Sequence, residues 1–452
     1  MDWFGRASIS FTHASSPLTL PAKNSGGSGS SSGSGSGSAP GMDFPQLCRD
    51  STPPCQLNPL LFNGHVQTMW SAVASAAAAP PIHYRRKIFA ANHTTYSGTF
   101  AVDFAARPHD DADPTLPPRT GYFTEAQLAV VERGSDDHRP MLLVLHGLTG
   151  GSYETYLRHC IAPLRAKVEE DDDNDDDDQN WVVAVVNSRG CANSAITSGV
   201  LFNARATWDI RQVARWAREK FPNRPLFGLG FSMGANILTN YVGEEGATCP
   251  LSAAVVVGNP FDLQISNKAL QRTFLGRHIY ETFMGSNVKQ LMVYHKESFA
   301  KYTDLDYDRV MKIRYLYEFD REVQCQTWGY PTEEAYYRDA SSCDSLLAIR
   351  IPFLAIQAKD DPIAVEEAVP YGEFKNNPYT VLCMTSLGGH LSWMEPGGGR
   401  WHAKPVSNFL KKMATEVDLA AIPRNLHPLD KKQPAGASFQ PMRRKMVIHI
   451  DE

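Results

Sequence analysis

At residues 230–234 the chain reads Gly-Phe-Ser-Met-Gly, set between an apolar run at 225–231 and a helix-favouring run at 235–242. This placement constrains the fold more than any other feature of the sequence. A Gly-x-Ser-x-Gly sequence at a strand-to-helix junction predicts a sharp, strained turn. Small flanking residues let neighbouring backbones come close while the serine hydroxyl projects. The helix that follows would aim its N-terminal dipole and N–H groups at the hydroxyl, where they favour developing negative charge. Ser232 is therefore the candidate nucleophile, and the Met233 amide the first candidate oxyanion donor.

Such a junction belongs to a parallel sheet, and the flanking sequence supplies one. Apolar runs at 141–145, 181–186, 225–231 and 253–257 alternate with a helical stretch after Ser152, an amphipathic stretch at 206–220 and the helix at 235–242; later strands are expected at 353–358 and 380–384. This βαβα rhythm predicts a mainly parallel sheet covered by helices on both faces, and the Gly-x-Ser-x-Gly junction within it makes the α/β-hydrolase fold the expected one. The rhythm lapses between 263 and 351, where residues such as Tyr302, Tyr315, Tyr317 and Phe319 mix with charged, helix-favouring ones, and an inserted helical lid is expected there. The expected organisation is a mostly disordered N-terminal segment (1–54), a hydrolase domain in two parts (55–262 and 352–423) with the lid (263–351) between them, and a polar C-terminal tail (424–452). The Gly/Ser stretch 25–41 reads as a flexible linker. The acidic run at 169–178 reads as a solvated loop.

A serine hydroxyl is a weak nucleophile at neutral pH, so it needs a histidine to take its proton and a carboxylate to fix that histidine's tautomer. In this fold the partners follow in the order serine, acid, histidine. His390, in a Gly-Gly-His turn after the strand 380–384, is the candidate base. Asp360 and Asp361 both follow the strand 353–358; Asp361, directly before Pro362, is the preferred acid, with Asp360 kept as the alternative. The second oxyanion donor is expected from the glycine-rich turn at 145–151, at the Leu148 amide, with the His146 side chain shaping that turn.

Composition narrows the remaining choices. With 452 residues, 42% hydrophobic and 21% charged, the chain can bury a sizeable core. The acidic run holds nine carboxylates, and removing them from a net charge of −5 leaves the rest near neutral, without the basic stripe of a nucleic-acid binder. Eight scattered cysteines form no Cys-x-x-Cys pair and meet no histidines at zinc spacing, so free thiols and a reducing, intracellular compartment are expected. The first ten residues lack the basic start and apolar run of a secretory signal. The alanine-rich run 71–79 stops at Pro80 and Pro81, short of the roughly 18 apolar residues a spanning helix needs. The expectation is a cytoplasmic chain, or one peripheral on a membrane or lipid droplet.

The segments NPLLFNGHVQTMW (58–70), LHGLTGGS (145–152), NSRGCANS (187–194), GFSMGAN (230–236), YYRDASS (336–342) and LGGH (387–390) resemble the AB hydrolase 4 family over about residues 55–415. That family includes bacterial esterase-like proteins, animal lipid hydrolases acting on acylglycerols and phospholipids, and the fungal medium-chain fatty acid ethyl ester synthase/esterases, the branch the opening MDWFGRASISF resembles most. The resemblance places the family's triad on Ser232, Asp361 and His390. It implies an acyl-enzyme on Ser232, formed from an acyl ester or acyl-CoA and released by water or by an alcohol such as ethanol, with no metal or organic cofactor. Two alternatives stand beside it: a monoacylglycerol lipase or phospholipase using the same site, and a non-catalytic lipid-binding protein of this fold.

Overall fold

The computed structural model describes residues 3–23, 41–74, 79–93, 95–165, 181–426 and 441–442. The acidic run 169–178, most of the Gly/Ser stretch and most of the tail beyond 426 lie outside the described residues. A ten-stranded sheet organises the chain. In chain order its strands are β1 (Ile9–His13), β2 (His83–Ala90), β3 (Thr99–Ala106), β4 (Thr120–Tyr122), β5 (Met141–Leu145), β6 (Val182–Val186), β7 (Leu226–Phe231), β8 (Ala253–Val257), β9 (Phe353–Ala358) and β10 (Thr380–Thr385). They lie side by side as β1-β10-β9-β8-β7-β5-β6-β3-β2-β4. The strands from β5 to β10 pair in parallel. Interior parallel strands are covered on both faces, which is why runs such as Met-Leu-Leu-Val-Leu and Ala-Ala-Val-Val-Val are buried at every residue.

Strand order sets the location of the site. β5 lies between β6 and β7, so the path leaves β5 in one direction and then returns across it. Right-handed crossovers in opposite directions put the helix Thr155–Arg165 on one face and the helices Trp208–Lys220 and Met233–Glu245 on the other. The loops after β5 and β7 diverge at this reversal, at the carboxyl edge where ligands bind in open α/β sheets. In register, Gly230 of β7 stands opposite Leu145 of β5, so Ser232 and the turn starting at His146 emerge together.

Between β8 and β9 the chain is helical in many short pieces, from Leu263–Arg272 through Thr282–Tyr294 and Glu333–Ala340 to Cys343–Leu346. Two of them, Gly276–Glu281 and Asp320–Gln324, are wound as π-helices, which turn side chains out of the ordinary α-helical register. The motif segments lock this layer and the site loops to the sheet. Asp103 of β3, fully buried, pairs with Arg86 and accepts hydrogen bonds from Ser152 and Asn187. The Asn236 amide donates to the carbonyls of Ala204 and Ala340.

The expectation of a mostly disordered segment 1–54 does not describe its residues 3–23 and 41–54. Ile9–His13 forms an antiparallel edge strand on β10, and the helix Phe44–Asp50 buries Phe44, Leu47 and Cys48, with Phe44 against Phe409 at a ring separation of 6.2 Å. The Gly/Ser stretch between these pieces dominates the composition and masks the five-residue Ile-Ser-Phe-Thr-His run. Strands β2, β3 and β4 add a partly antiparallel flank at the opposite edge. All eight cysteines are free thiols. Among the described residues no helix is long and apolar enough to cross a membrane.

Candidate active site

Ser232, between β7 and the helix Met233–Glu245, has φ 51° and ψ −119°, a positive-φ conformation that a side-chain-bearing residue adopts only when its surroundings impose it. The flanking glycines give the reason. A Cβ at 230 would lie 2.7 Å from the Ala235 Cα, and one at 234 would lie 2.4 Å from the His146 carbonyl oxygen. Only bare backbone fits where the turn presses against the start of its own helix and against the loop after β5. The Ser232 side chain does not cap its helix. Its hydroxyl instead donates to His390 Nε2 at 2.9 Å.

The other ring nitrogen of His390, Nδ1, donates to Asp361 Oδ2 at 2.9 Å. That bond fixes the tautomer with Nε2 free to accept. Asp361 is held in turn: its second oxygen accepts the N–H groups of Ile363 and Ala364, each at 2.8 Å, and its side chain is fully buried. The structure thus brings together the three sequence-predicted residues Ser232, Asp361 and His390 and separates the two neighbouring aspartates. Asp360 points to the backbone, accepting the Gly389 N–H at 3.0 Å. Its burial pushes its carboxyl up to about 6, opposed by the Gly389 hydrogen bond.

Leu148 and Met233, the expected amide donors, line the same cleft as Ser232. The turn carrying Leu148 comes close to Ser232, since a Cβ on Gly147 would stand 3.4 Å from the Ser232 Cβ. His146 shapes this turn: Nδ1 donates to the Gly147 carbonyl at 2.7 Å and Nε2 accepts the Ser188 N–H at 3.0 Å. Full burial pushes its pKa down to about 4, so the ring is neutral at physiological pH. Among the described residues, no group of three or more His, Cys, Asp or Glu side chains could hold a metal ion.

One supporting element went unassigned in the sequence. The segment 58–70 forms a turn and the helix Gly64–Val73 that cradles the histidine loop. Asn63 caps the helix by accepting the Val66 N–H. Thr68 Oγ1 accepts the His390 N–H at 2.9 Å and donates to the Gly64 carbonyl, while Gln67 Oε1 accepts the Met394 N–H. The conspicuous Asn-Gly-His-Val-Gln-Thr run was the only sequence signal of this role.

Ser232 opens onto a cleft of about 710 Å³, walled by apolar side chains such as Phe202, Leu263, Leu270, Met284 and Leu316. The helical layer adds a polar region to this wall, Glu281, Asp320 and Gln324. Glu281 accepts the Leu316 N–H and Asp320 accepts the Tyr337 hydroxyl. Burial pushes both carboxyls up to about 7.

A family model described as the alpha/beta hydrolase fold matches residues 140–395, which include every residue of this relay. The chain belongs to that family. This hydrolase is an ester-cleaving enzyme. It is similar to a monoacylglycerol lipase of Saccharomyces cerevisiae, 34% identical over 395 residues, covering 83% of this chain and 84% of that protein. It is also similar to medium-chain fatty acid ethyl ester synthase/esterase 2 of the same yeast, 29% identical over 399 residues, covering 79% and 85%. The mouse phospholipase ABHD3 is 28% identical to the hydrolase over 319 residues, covering 70% and 68%.

Proposed function

We propose that this hydrolase cleaves medium-chain acyl esters through an acyl-enzyme on Ser232 and passes the acyl group to water or to a short alcohol. The observation that carries this reading is the relay Ser232–His390–Asp361, with both hydrogen bonds at 2.9 Å, in the wall of an apolar cleft. Ser232 Oγ attacks the ester carbonyl carbon as its proton passes to His390 Nε2, and Asp361 stabilises the imidazolium that forms. The Met233 and Leu148 amides receive the oxyanion. Collapse breaks the bond to the alcohol oxygen, which leaves with the proton from His390. Water or an alcohol then attacks the acyl-enzyme, giving its proton to His390, and Ser232 is released as acid or ester leaves. With acyl-CoA as donor the leaving atom is sulfur and the rest of the cycle is unchanged.

The test is turnover of a p-nitrophenyl ester series from acetate to palmitate by the protein and by Ser232→Ala, with and without ethanol. Ser232-dependent turnover with an optimum at medium chain length, and an ethyl ester formed when ethanol is present, is the expected result. Unchanged turnover in Ser232→Ala would remove the mechanism.

A glycerol monoester is the second reading. Glu281, Asp320 and Gln324 give the apolar cleft hydrogen-bonding groups suited to free hydroxyls, and the yeast relative named a monoacylglycerol lipase is similar over most of both chains. Faster turnover of a monoacylglycerol than of an ethyl ester of the same acyl length would favour it.

A further inference from the structure

Eleven of the sixteen large apolar side chains exposed among the described residues fall in two segments, 60–73 and 265–294. Leu60 is 80% exposed, Val73 75% and Phe274 76%, with Phe62, Trp70 and Phe283 at least half exposed. Monomeric proteins seldom expose so much apolar surface in one place without using it. The two segments meet: His65 Nδ1 and the Tyr280 hydroxyl are 2.8 Å apart, and their rings stack at 5.7 Å. The helices behind this surface also wall the cleft, since Leu263, Leu270 and Met284 face Ser232's cavity while Phe274 and Phe283 are exposed.

Charge narrows the choice of occupant. Residues 58–74 hold no Asp, Glu, Lys or Arg, and residues 263–294 hold Lys268, Arg272, Arg277 and Lys289 against a single acid, Glu281, which is buried. Arg272 also reaches Glu367. The surface therefore presents aromatic and aliphatic side chains among cations, the combination that inserts into the headgroup boundary of an anionic lipid layer. A second copy docked through the same surface would set these cations against one another.

We propose that the surface made by residues 60–73 and 265–294 docks this hydrolase on an anionic lipid surface and brings the cleft to its acyl esters. The proposal deepens the acyl-ester reading and rests on it for its purpose, though binding can be read without turnover.

The experiment is flotation of the full-length protein with vesicles of phosphatidylcholine, alone and with phosphatidylserine, repeated at high salt and with Ser232→Ala. The comparison variant carries Phe274→Ser, Phe283→Ser, Val293→Ser and Tyr294→Ser together, all at exposed positions. The parent and Ser232→Ala should float equally, more with phosphatidylserine and less in high salt. The fourfold variant should lose at least about tenfold in vesicle affinity. Its turnover of a soluble short-chain p-nitrophenyl ester should equal that of the parent, while turnover of ester embedded in vesicles falls. Equal flotation of parent and variant would overturn the proposal. So would a parent that binds no vesicles, or one that is dimeric by light scattering and becomes monomeric in the variant. Vesicle binding by a parent with no esterase activity would leave the docking surface standing and remove the acyl-ester reading alone.

Discussion

Thr68 Oγ1 accepts the backbone N–H of His390 at 2.9 Å, across 322 residues of chain. The ring of His390 is held by Asp361 and its backbone by the helix Gly64–Val73, so under the proposed mechanism the orientation of the base rests on a residue outside the relay. Thr68→Val should lower kcat by about tenfold with little change in KM, as expected when a reacting group loses its orientation rather than its chemistry. Thr68→Ser, which keeps the hydroxyl, should restore most of it. Steady-state kinetics on one soluble ester checks both.

Ser232→Ala and His390→Ala should each lower kcat by about 10⁴-fold or more, and the double variant should be little worse than either, because the groups act as a unit. Circular dichroism of the variants should match the parent.

Asp361→Asn should cost far more activity than Asp360→Asn, because Asn at 361 cannot stabilise the imidazolium, whereas Asn at 360 can still accept the Gly389 N–H. A severe loss in Asp360→Asn alone would reverse the assignment.

Gly234→Ala should destabilise the fold by about 2 kcal/mol or more, since its methyl group would meet the His146 carbonyl oxygen at 2.4 Å. The urea midpoint, compared with that of Gly372→Ala, where nothing lies within 4 Å of the added carbon, reads the difference.

Asp320 gives a pH prediction. Burial raises its carboxyl from 3.8 to about 7, so the folded state holds a proton that the unfolded state releases. Stability from this group is present below pH 4 and is lost as pH rises towards 7. Asp320→Asn keeps an acceptor for Tyr337 and carries no charge. It should raise Tm at pH 8, on the order of 2 kcal/mol in stability, with the gain shrinking as pH falls towards 4.

The legible parts of this molecule were those in which one physical requirement writes one pattern. Interior parallel strands must be apolar throughout, so β5, β8 and β9 stand in the sequence with the limits they have in the fold. Ser232, Asp361 and His390 each follow such a strand, and their order did the rest. β2 was hidden because Arg85 and Arg86 interrupt it, and only the fold reveals that Asp111 and Asp103 neutralise them. Asp360 and Asp361 differ by the direction of one residue of backbone. Thr68 had only the run Asn-Gly-His-Val-Gln-Thr as a sign, since its partner, the His390 N–H, is supplied by tertiary structure.

The pairing of β1 with β10 bears on how the protein is made. Ser10 leaves the ribosome 374 residues ahead of Met384, whose carbonyl its hydroxyl meets. The strand therefore waits while 374 further residues are made before its neighbour appears, and the stretch directly after that neighbour delivers His390. Nascent chains carry Ser232 long before they carry His390, so the hydrogen bond between the two can form only after β10 has joined the sheet.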